Sequence, residues 1–121
     1  MNMNRWTGFY AEDPRVLSAP RSLCSEYAAT KFRKHDCSSI LDLGCGVGRD
    51  SFYLASQGLN VFSIDSAYTG LVKAQSLVST GYANKCRLIQ GDALALRSLM
   101  PVLTEYTVLG CCTSSCLRIA I

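Results

Sequence analysis

The sequence predicts an α/β fold with a mostly parallel sheet, because helix-like patterns separate three apolar runs that end in glycine or acidic residues. The first run, 40–43, stops at three closely spaced glycines. The second, 61–64, ends in Asp65, and the third, 86–90, precedes Asp92. With 121 residues and 49% hydrophobic content, we expect a single domain with a packed core.

The first run and its glycines predict a strand, a tight loop and the start of a helix. Gly44, Gly46 and Gly48 would let the backbone turn sharply and approach a ligand closely. The helix would then point its free N–H groups towards that ligand. A dinucleotide loop, G-x-G-x-x-G, needs a glycine where this chain has Arg49, so the spacing fits nicotinamide or flavin dinucleotides poorly.

Residues 42–48 resemble motif I of the class I S-adenosylmethionine-dependent methyltransferases, whose pattern is D/E-x-G-x-G-x-G. The resemblance implies a Rossmann-like three-layer sandwich that binds S-adenosylmethionine. It further implies that Asp42 orients the amine of the cofactor. The methionine part would be framed by four loop residues: Gly44, Cys45, Gly46 and Gly48. An acid suits this cofactor, because a carboxylate attracts an ammonium and a sulfonium but repels a pyrophosphate.

Asp65 follows the second strand, 21 residues after Gly44. An acid at this place is positioned to accept hydrogen bonds from both ribose hydroxyls of an adenosine ligand. The alternative is that Asp65 caps the following helix, a role that Ser66 could fill instead. The family usually has Asp-x-Ser at this turn, so Ser66 lies one place early and matches only in part.

Asp92 and Ala93 follow the third strand. The resemblance implies that Asp92 accepts from the exocyclic amine of adenine and that the N–H of Ala93 donates to a ring nitrogen. A Gly-Asp-Ala sequence by itself is more often only a turn. Its position, third in order after Asp42 and Asp65, supports the assignment.

The chain divides into an N-terminal arm (1–20), a cofactor-binding domain (21–110) and a cysteine-rich tail (111–121). Aromatic residues and two prolines predict an irregular arm, which could fold over the pocket or cover the sheet or a helix. Apolar periodicity predicts the remaining elements of the domain: helices over 22–34, 50–57, 71–78 and 93–100, and a fourth strand over 105–109.

The family fold implied by the resemblance has a seven-stranded sheet in the order 3-2-1-4-5-7-6, and we expect only the first four strands here. The predicted fold is therefore incomplete, and its fourth strand would be an exposed edge. A truncated product, a naturally short form, or a chain completed by a second copy or a partner would each explain this.

The charge distribution does not indicate a nucleic-acid-binding protein, since the net charge is only +3. The basic cluster Lys31, Arg33 and Lys34, with the single histidine, His35, fits a helix C-terminus, where cations complement the macrodipole. Contact with RNA or DNA is the alternative interpretation of that cluster. No apolar span approaches about 18 residues. The polar start lacks a signal-peptide core, so we expect a cytoplasmic location without membrane contact.

The seven cysteines are odd in number and scattered, so we expect reduced thiols. Cys111, Cys112 and Cys116 lack the paired spacing of a structural zinc site, and we expect no metal. Cys45 has no base partner in the sequence, and we interpret it as a small loop residue rather than a nucleophile.

Three functions remain open from the sequence. The leading hypothesis is an S-adenosylmethionine-dependent methyltransferase that acts on an unidentified acceptor, with catalytic residues that the sequence does not identify. The second is a non-catalytic S-adenosylmethionine-binding module, or a subunit that needs a partner chain. The third is a dinucleotide-binding oxidoreductase fragment, which the glycine spacing opposes.

Overall fold

The computed structural model describes the backbone of residues 3–17, 20–21, 23–78, 83–92, 107–112 and 115–120. In chain order the elements are α1 (Met3–Glu12), a 3₁₀ turn (Pro14–Leu17), α2 (Leu23–Lys34), β1 (Ser39–Leu43), α3 (Arg49–Ser56), β2 (Asn60–Asp65), α4 (Tyr68–Leu77), a second 3₁₀ turn (Ala83–Lys85), β3 (Cys86–Gln90), β4 (Thr107–Cys112) and β5 (Ser115–Ala120).

The strands of the described residues form one five-stranded sheet in the order β3-β2-β1-β4-β5. β1 to β4 are parallel, with Leu41 of β1 opposite Phe62 of β2 and Val108 of β4. β5 runs antiparallel to β4. Because parallel strands end at the same edge, the residues that follow β1, β2 and β3 lie near one another. The predicted α/β fold with a mostly parallel sheet is confirmed.

One face of the sheet carries the main core. Ile40, Val61 and Cys86 are buried on that face and pack with apolar residues of α2, α3 and α4: Ala28, Ala29, Phe32, Phe52, Leu54, Ala55 and Ala74. Burial of this apolar surface is the main favourable contribution to folding. The core therefore holds β1 and α3, and the loop between them, in fixed positions.

Three of the predicted helices are confirmed, with small shifts at their ends. α2 begins at Leu23, α3 covers Arg49–Ser56, and α4 begins at Tyr68, three residues before the predicted start at 71. Gly58 follows α3 with a φ of 90°, the left-handed conformation expected after a helix C-terminus. None of the helices within the described ranges is long and apolar enough to cross a membrane.

The prediction of an irregular arm over residues 1–20 is wrong, because α1 forms there. α1 packs on α4, where the hydroxyl of Thr69 donates to the carbonyl of Thr7 at 2.7 Å. Lys73 Nζ also donates to the carbonyl of Ala11 at 3.5 Å. Tertiary contacts of this kind override the weak local preferences that composition reports.

The far side of the sheet also differs from the prediction. The fourth strand is confirmed, and the described strand runs from Thr107 to Cys112. β5 then follows where we predict no strand, with Ile119 opposite Val108. The expectation of an exposed edge at β4 is therefore wrong, since β5 pairs with it. The helix predicted over 93–100 lies outside the described residues.

The cysteines differ in their bonding. Cys37, Cys45 and Cys86 are free thiols. Cys24 is disulfide-bonded, so the expectation of reduced thiols throughout is wrong at this position. The side chains of Cys111, Cys112 and Cys116 lie outside the described part of the chain, and their interpretation stays a prediction.

Candidate functional site

The glycine loop, residues 44–48, connects β1 to α3 at the carboxyl edge of the sheet. Gly44, Gly46 and Gly48 have φ angles of 73°, 58° and 81°, a left-handed conformation that residues with a side chain rarely adopt. A Cβ on Gly48 would lie 2.9 Å from the ring of Phe52, so this glycine also lets α3 pack closely. The predicted strand, tight loop and helix start are confirmed.

Hydrogen bonds fix the glycine loop against β2. The N–H groups of Gly44 and Cys45 donate to the carbonyl of Ile64 at 2.7 and 3.2 Å. The N–H of Gly46 donates to Oδ2 of Asp65 at 2.7 Å. Three successive N–H groups of the loop therefore point at the end of β2, and the loop and Asp65 form one hydrogen-bonded unit.

Asp65 is 9% exposed and accepts a backbone hydrogen bond on each carboxylate oxygen. Oδ2 binds the loop, and Oδ1 accepts from the N–H of Ala67 at 2.8 Å, just before α4 begins. Asp65 thus makes the turn contact that we also considered for Ser66, which is half-buried beside it. Each carboxylate oxygen has two acceptor positions, so Asp65 retains capacity for further donors such as hydroxyl groups.

Asp42 lies in β1, two residues before the loop, and is 1% exposed. Its Oδ2 accepts from the hydroxyl of Ser51 in α3 at 2.5 Å. Its Oδ1 has no hydrogen-bond partner among the described residues. Burial raises the pKa of Asp42 to about 7; the Ser51 hydrogen bond opposes that rise, and Asp50 and Asp65 add to it. A buried carboxylate oxygen without a donor costs free energy, so Oδ1 marks a position where a donor would be stabilising.

A buried polar line continues from Asp42 across the sheet, through Ser51 and Ser63 to Cys86. Ser63 in β2 donates to Ser51 Oγ at 2.6 Å, and its own Oγ lies 3.7 Å from Cys86 Sγ in β3. Both serines are 0% exposed. Sequence reasoning missed them, because a serine within a helix or strand is unremarkable until its neighbours in space are known.

Cys45 is held as a neutral thiol. Burial, together with the nearby carboxylates of Asp42 and Asp65, raises the pKa of this thiol. Because the thiolate is the reactive form, a raised pKa makes Cys45 a poor nucleophile. This geometry agrees with its interpretation as a small residue of the loop.

Tyr10 of α1 lies against the glycine loop. A Cβ on Gly46 would stand 2.6 Å from the Tyr10 hydroxyl, and a Cβ on Gly70 of α4 would stand 3.0 Å from its ring. The sequence left two alternatives for the N-terminal aromatic residues: to fold over the pocket, or to cover the sheet or a helix. Tyr10 does both, since it packs on α4 and also covers the glycine loop. The sequence signal was the cluster of aromatic residues near the N-terminus, which did not identify the contacting residue.

Asp92 lies on the same edge of the sheet as Asp65. The N–H of Gly91 donates to the carbonyl of Asp65 at 3.0 Å, which holds the end of β3 beside the end of β2. Asp92 is exposed. Ala93 lies outside the described residues. The structure therefore joins the glycine loop to Asp65, places Asp42 two residues before the loop in β1, and puts Asp92 just beyond the end of the adjoining strand, β3.

A glycine loop after β1 and an acid after β2, at one edge of a mostly parallel sheet, define a Rossmann-like α/β domain. Residues 40–115, more than half of the chain, match a family model described as a methyltransferase domain. The chain belongs to this family of methyltransferase domains. The resemblance of residues 42–48 to class I S-adenosylmethionine-dependent methyltransferases is confirmed.

Three proteins to which this chain is similar are themselves named as methyltransferases. A stretch of 50 residues is 40% identical to glycine N-methyltransferase of Homo sapiens, and covers 39% of this chain and 17% of that enzyme. A solved structure provisionally assigned as a caffeoyl-CoA O-methyltransferase from Staphylococcus aureus superposes with a TM-score of 0.57 at 23% identity, over 82% of this chain and 48% of that one. Magnesium protoporphyrin IX methyltransferase from Synechocystis PCC 6803, with bound SAH, gives a TM-score of 0.50 at 23% identity, over 57% and 34%. The matched part is less than half the length of each of these proteins.

Proposed function

We propose that the chain binds S-adenosylmethionine at the carboxyl edge of β1, β2 and β3 and belongs to an enzyme that methylates an unidentified acceptor. The observation that carries this proposal is the hydrogen bond from Gly46 to Asp65. It places the acid suited to a ribose directly on the loop suited to the methionine part. A glycine loop or a strand-end acid alone would be a much weaker indication.

The electrostatics of the site favour a cation over a phosphate. Asp42 and Asp65 are buried, and Asp50 lies near enough to influence the ionisation of Asp42. Negative groups in a low-dielectric interior act strongly on a nearby charge. An ammonium and a sulfonium would be attracted, whereas a pyrophosphate would be repelled, which argues against the dinucleotide alternative.

Each predicted ligand contact can be assigned to a place in the site. Asp65 has spare acceptor positions for the ribose hydroxyls, and Asp42 Oδ1 would serve the amine of the ligand, directly or through a water. Asp92 would accept from the amine of adenine, and the N–H of Ala93, which lies outside the described residues, is the donor that the family resemblance implies for a ring nitrogen. The methionine part would lie along the loop residues Gly44, Cys45, Gly46 and Gly48, next to Ser66 and under Tyr10. SAH bound to the Synechocystis methyltransferase supports this choice of cofactor.

The chemistry requires positioning more than acid or base groups. S-adenosylmethionine supplies an electrophilic methyl group on a positively charged sulfur. The residues of this chain would hold that group in line with the acceptor, and correct orientation alone contributes a large part of such a rate enhancement. The described residues do not identify a catalytic base. Because the match covers only 17% of glycine N-methyltransferase, the methyl acceptor of that enzyme is not assigned to this chain.

The alternative is a non-catalytic S-adenosylmethionine-binding module, or one completed by a second copy or a partner chain. β5 pairs with β4, but its own outer edge has no strand partner within the described residues. Methyl transfer by the isolated chain, measured together with its mass in solution, would separate an enzyme from such a module. The cytoplasmic location stays a prediction from the sequence.

Ligand choice is tested by a thermal-shift titration with S-adenosylhomocysteine and NADH side by side. A ligand that binds only the folded chain raises its unfolding temperature, by an amount that grows with ligand concentration. We expect S-adenosylhomocysteine to do so and NADH to have no effect. Stabilisation by NADH alone would reject the proposed cofactor.

A further inference from the structure

The buried polar line from Asp42 to Cys86 has a direction. A serine hydroxyl carries one hydrogen, and that of Ser51 goes to Asp42 Oδ2. The hydrogen in the 2.6 Å contact between the two serines must then come from Ser63. The Oγ of Ser63 is left to accept from the thiol of Cys86 at 3.7 Å. Every donor along the line therefore points towards the carboxylate.

This direction suits an ionised Asp42, because the hydrogen bond from Ser51 is stronger to a charged carboxylate than to a neutral carboxyl group, and it lowers the pKa of Asp42. Protonation on Oδ2 would make Asp42 a donor to Ser51 and would reverse both hydroxyls. The hydrogen of Ser63 would then be left with a thiol sulfur, which is a weak acceptor. Hydrogen bonds in a row also strengthen one another in a low-dielectric interior. The line thus favours the charged carboxylate, while burial favours the neutral one.

The same line sets the orientation of the carboxylate. It occupies Oδ2 and leaves Oδ1 as the oxygen without a partner among the described residues. Ser51 lies in the first turn of α3, three residues after Gly48, and Ser63 lies in the neighbouring strand. The orientation of Asp42 is therefore fixed by the elements that also carry the glycine loop.

We propose that Ser51, backed by Ser63 and Cys86, is a positioning residue that keeps Asp42 ionised and turned so that Oδ1 serves the cationic end of the ligand. This inference rests on the proposed function and adds residues to the same site. It differs from a packing role in one measurable respect. Loss of the hydroxyl should raise the pH at which Asp42 titrates, whereas loss of packing alone, which would expose the carboxylate to water, should lower it.

Other ionisable groups surround Asp42 and must stay constant in the test. Asp50 and Asp65 act on the ionisation of Asp42 in the same direction as burial. The described groups that interact electrostatically with Asp42 are Asp50 of α3, Asp65 of β2, Cys45 of the glycine loop and Cys86 of β3. None of them changes in a serine variant, so a shifted titration reports the hydroxyl line.

The experiment measures two quantities in wild type, Ser51→Ala and Ser63→Ala. The first is the titration midpoint of Asp42, from the carbon-13 NMR shift of its carboxyl group without added ligand. The second is the affinity for S-adenosylhomocysteine by calorimetry from about pH 5.5 to 8.5, a range that brackets the titration. We expect Ser51→Ala to raise the midpoint by about one pH unit and to weaken binding near neutral pH about tenfold. The affinity difference should shrink at high pH.

Three variants make the test specific. Ser63→Ala should also raise the Asp42 midpoint, by a smaller amount. If Ser51→Ala does not fold, Ser63→Ala replaces it as the test variant. Ser51→Thr, which keeps the hydroxyl, should restore the wild-type midpoint. Ser56→Ala is the matched control, because Ser56 ends the same helix but its hydroxyl bonds the carbonyl of Tyr53 at 2.6 Å. It should leave both quantities unchanged.

The outcomes separate the inference from the proposed function. Wild-type binding of S-adenosylhomocysteine together with an unchanged Asp42 midpoint in Ser51→Ala and Ser63→Ala would overturn the positioning role alone. Failure of the wild type to bind S-adenosylhomocysteine at any pH would overturn the proposed function. The role of Asp42 Oδ1 as an acceptor for the ligand would then be rejected as well.

Discussion

The backbone N–H of Gly46 donates to Oδ2 of Asp65 at 2.7 Å, from the middle of the glycine loop to the last residue of β2. Asp65 is therefore part of the structure of the loop as well as a candidate ligand contact. The two roles are compatible, since a carboxylate oxygen accepts more than one hydrogen bond. Removal of this side chain should consequently affect both folding and binding.

We expect Asp65→Ala to lower the free energy of unfolding by about 1–3 kcal/mol, because two buried N–H groups lose their acceptor. S-adenosylhomocysteine affinity should fall at least about tenfold, since the ribose acceptor is also lost. Urea unfolding and calorimetry measure the two effects. Glu26→Ala is the control, because the Glu26 side chain forms an exposed pair with Arg21 as its one salt bridge among the described residues, and its loss should change neither quantity appreciably. Full affinity in a folded Asp65→Ala variant would reject the ribose role.

Gly46 and Gly58 form a matched pair for testing the contact with Tyr10. Both have positive φ angles, 58° and 90°, but only Gly46 has a close neighbour, the Tyr10 hydroxyl at 2.6 Å from a built Cβ. Gly58→Ala should cost about 1–2 kcal/mol from backbone strain alone. Gly46→Ala should cost more, and Tyr10→Ala in that background should recover the excess. Urea unfolding of the single and double variants gives the coupling energy. Equal costs at the two glycines would show that Tyr10 does not constrain the loop.

Asp42 should make stability depend on pH. Its pKa is about 7 in the folded chain against an ordinary value of 3.8, so the folded state binds this proton more tightly. The resulting stabilisation is present below about pH 4 and is lost as the pH rises to about 7. Asp42→Asn, which stays neutral, should remove this loss and be more stable than wild type at pH 8 by a few kcal/mol, on the order expected for such a shift. Unfolding curves across this range measure the difference. Parallel pH profiles would contradict the buried, raised-pKa carboxylate.

Cys45 should react slowly with alkylating reagents, because its raised pKa leaves little thiolate near neutral pH. Cys37 is likewise a half-buried thiol without a disulfide bond, and it lies outside the loop, so it provides an internal comparison. Time-resolved iodoacetamide labelling followed by peptide mass spectrometry should show Cys45 modified more slowly than Cys37. Labelling of Cys45 that is as fast as that of Cys37 would indicate an open loop.

Local sequence was enough to predict the glycine loop and the acid at the end of β2. A strand that stops at spaced glycines has few alternatives, because the turn needs left-handed φ angles that Gly44 and Gly46 adopt. The loop and Asp65 are 19 residues apart along the chain. Their contact was nevertheless predictable, because parallel neighbouring strands end at one edge.

Features that depend on distant packing were not predictable in the same way. Thr69 and Thr7 are 62 positions apart, and no local pattern indicates that α1 would pack on α4. β5 was missed because the thiols and hydroxyls of residues 111–116 resemble a loop in composition, and the apolar stretch that follows them is short. It becomes a strand by pairing with β4, where Ile119 lies opposite Val108. The Ser51 and Ser63 contact likewise joins a helix and a strand that only the fold brings together.

The strand order β3-β2-β1-β4 means that the chain builds outward from β1 in one direction and then returns to its other side. Open parallel sheets bind ligands where this reversal occurs, because the connections leave the two central strands in opposite directions and open a crevice between them. Here the reversal lies between β1 and β4, whereas the acids that we propose for the ribose and the adenine, Asp65 and Asp92, lie on the β2 and β3 side. If S-adenosylmethionine binds as proposed, we expect a methyl acceptor to approach from the side of β4, across the reversal from the acids that hold the cofactor.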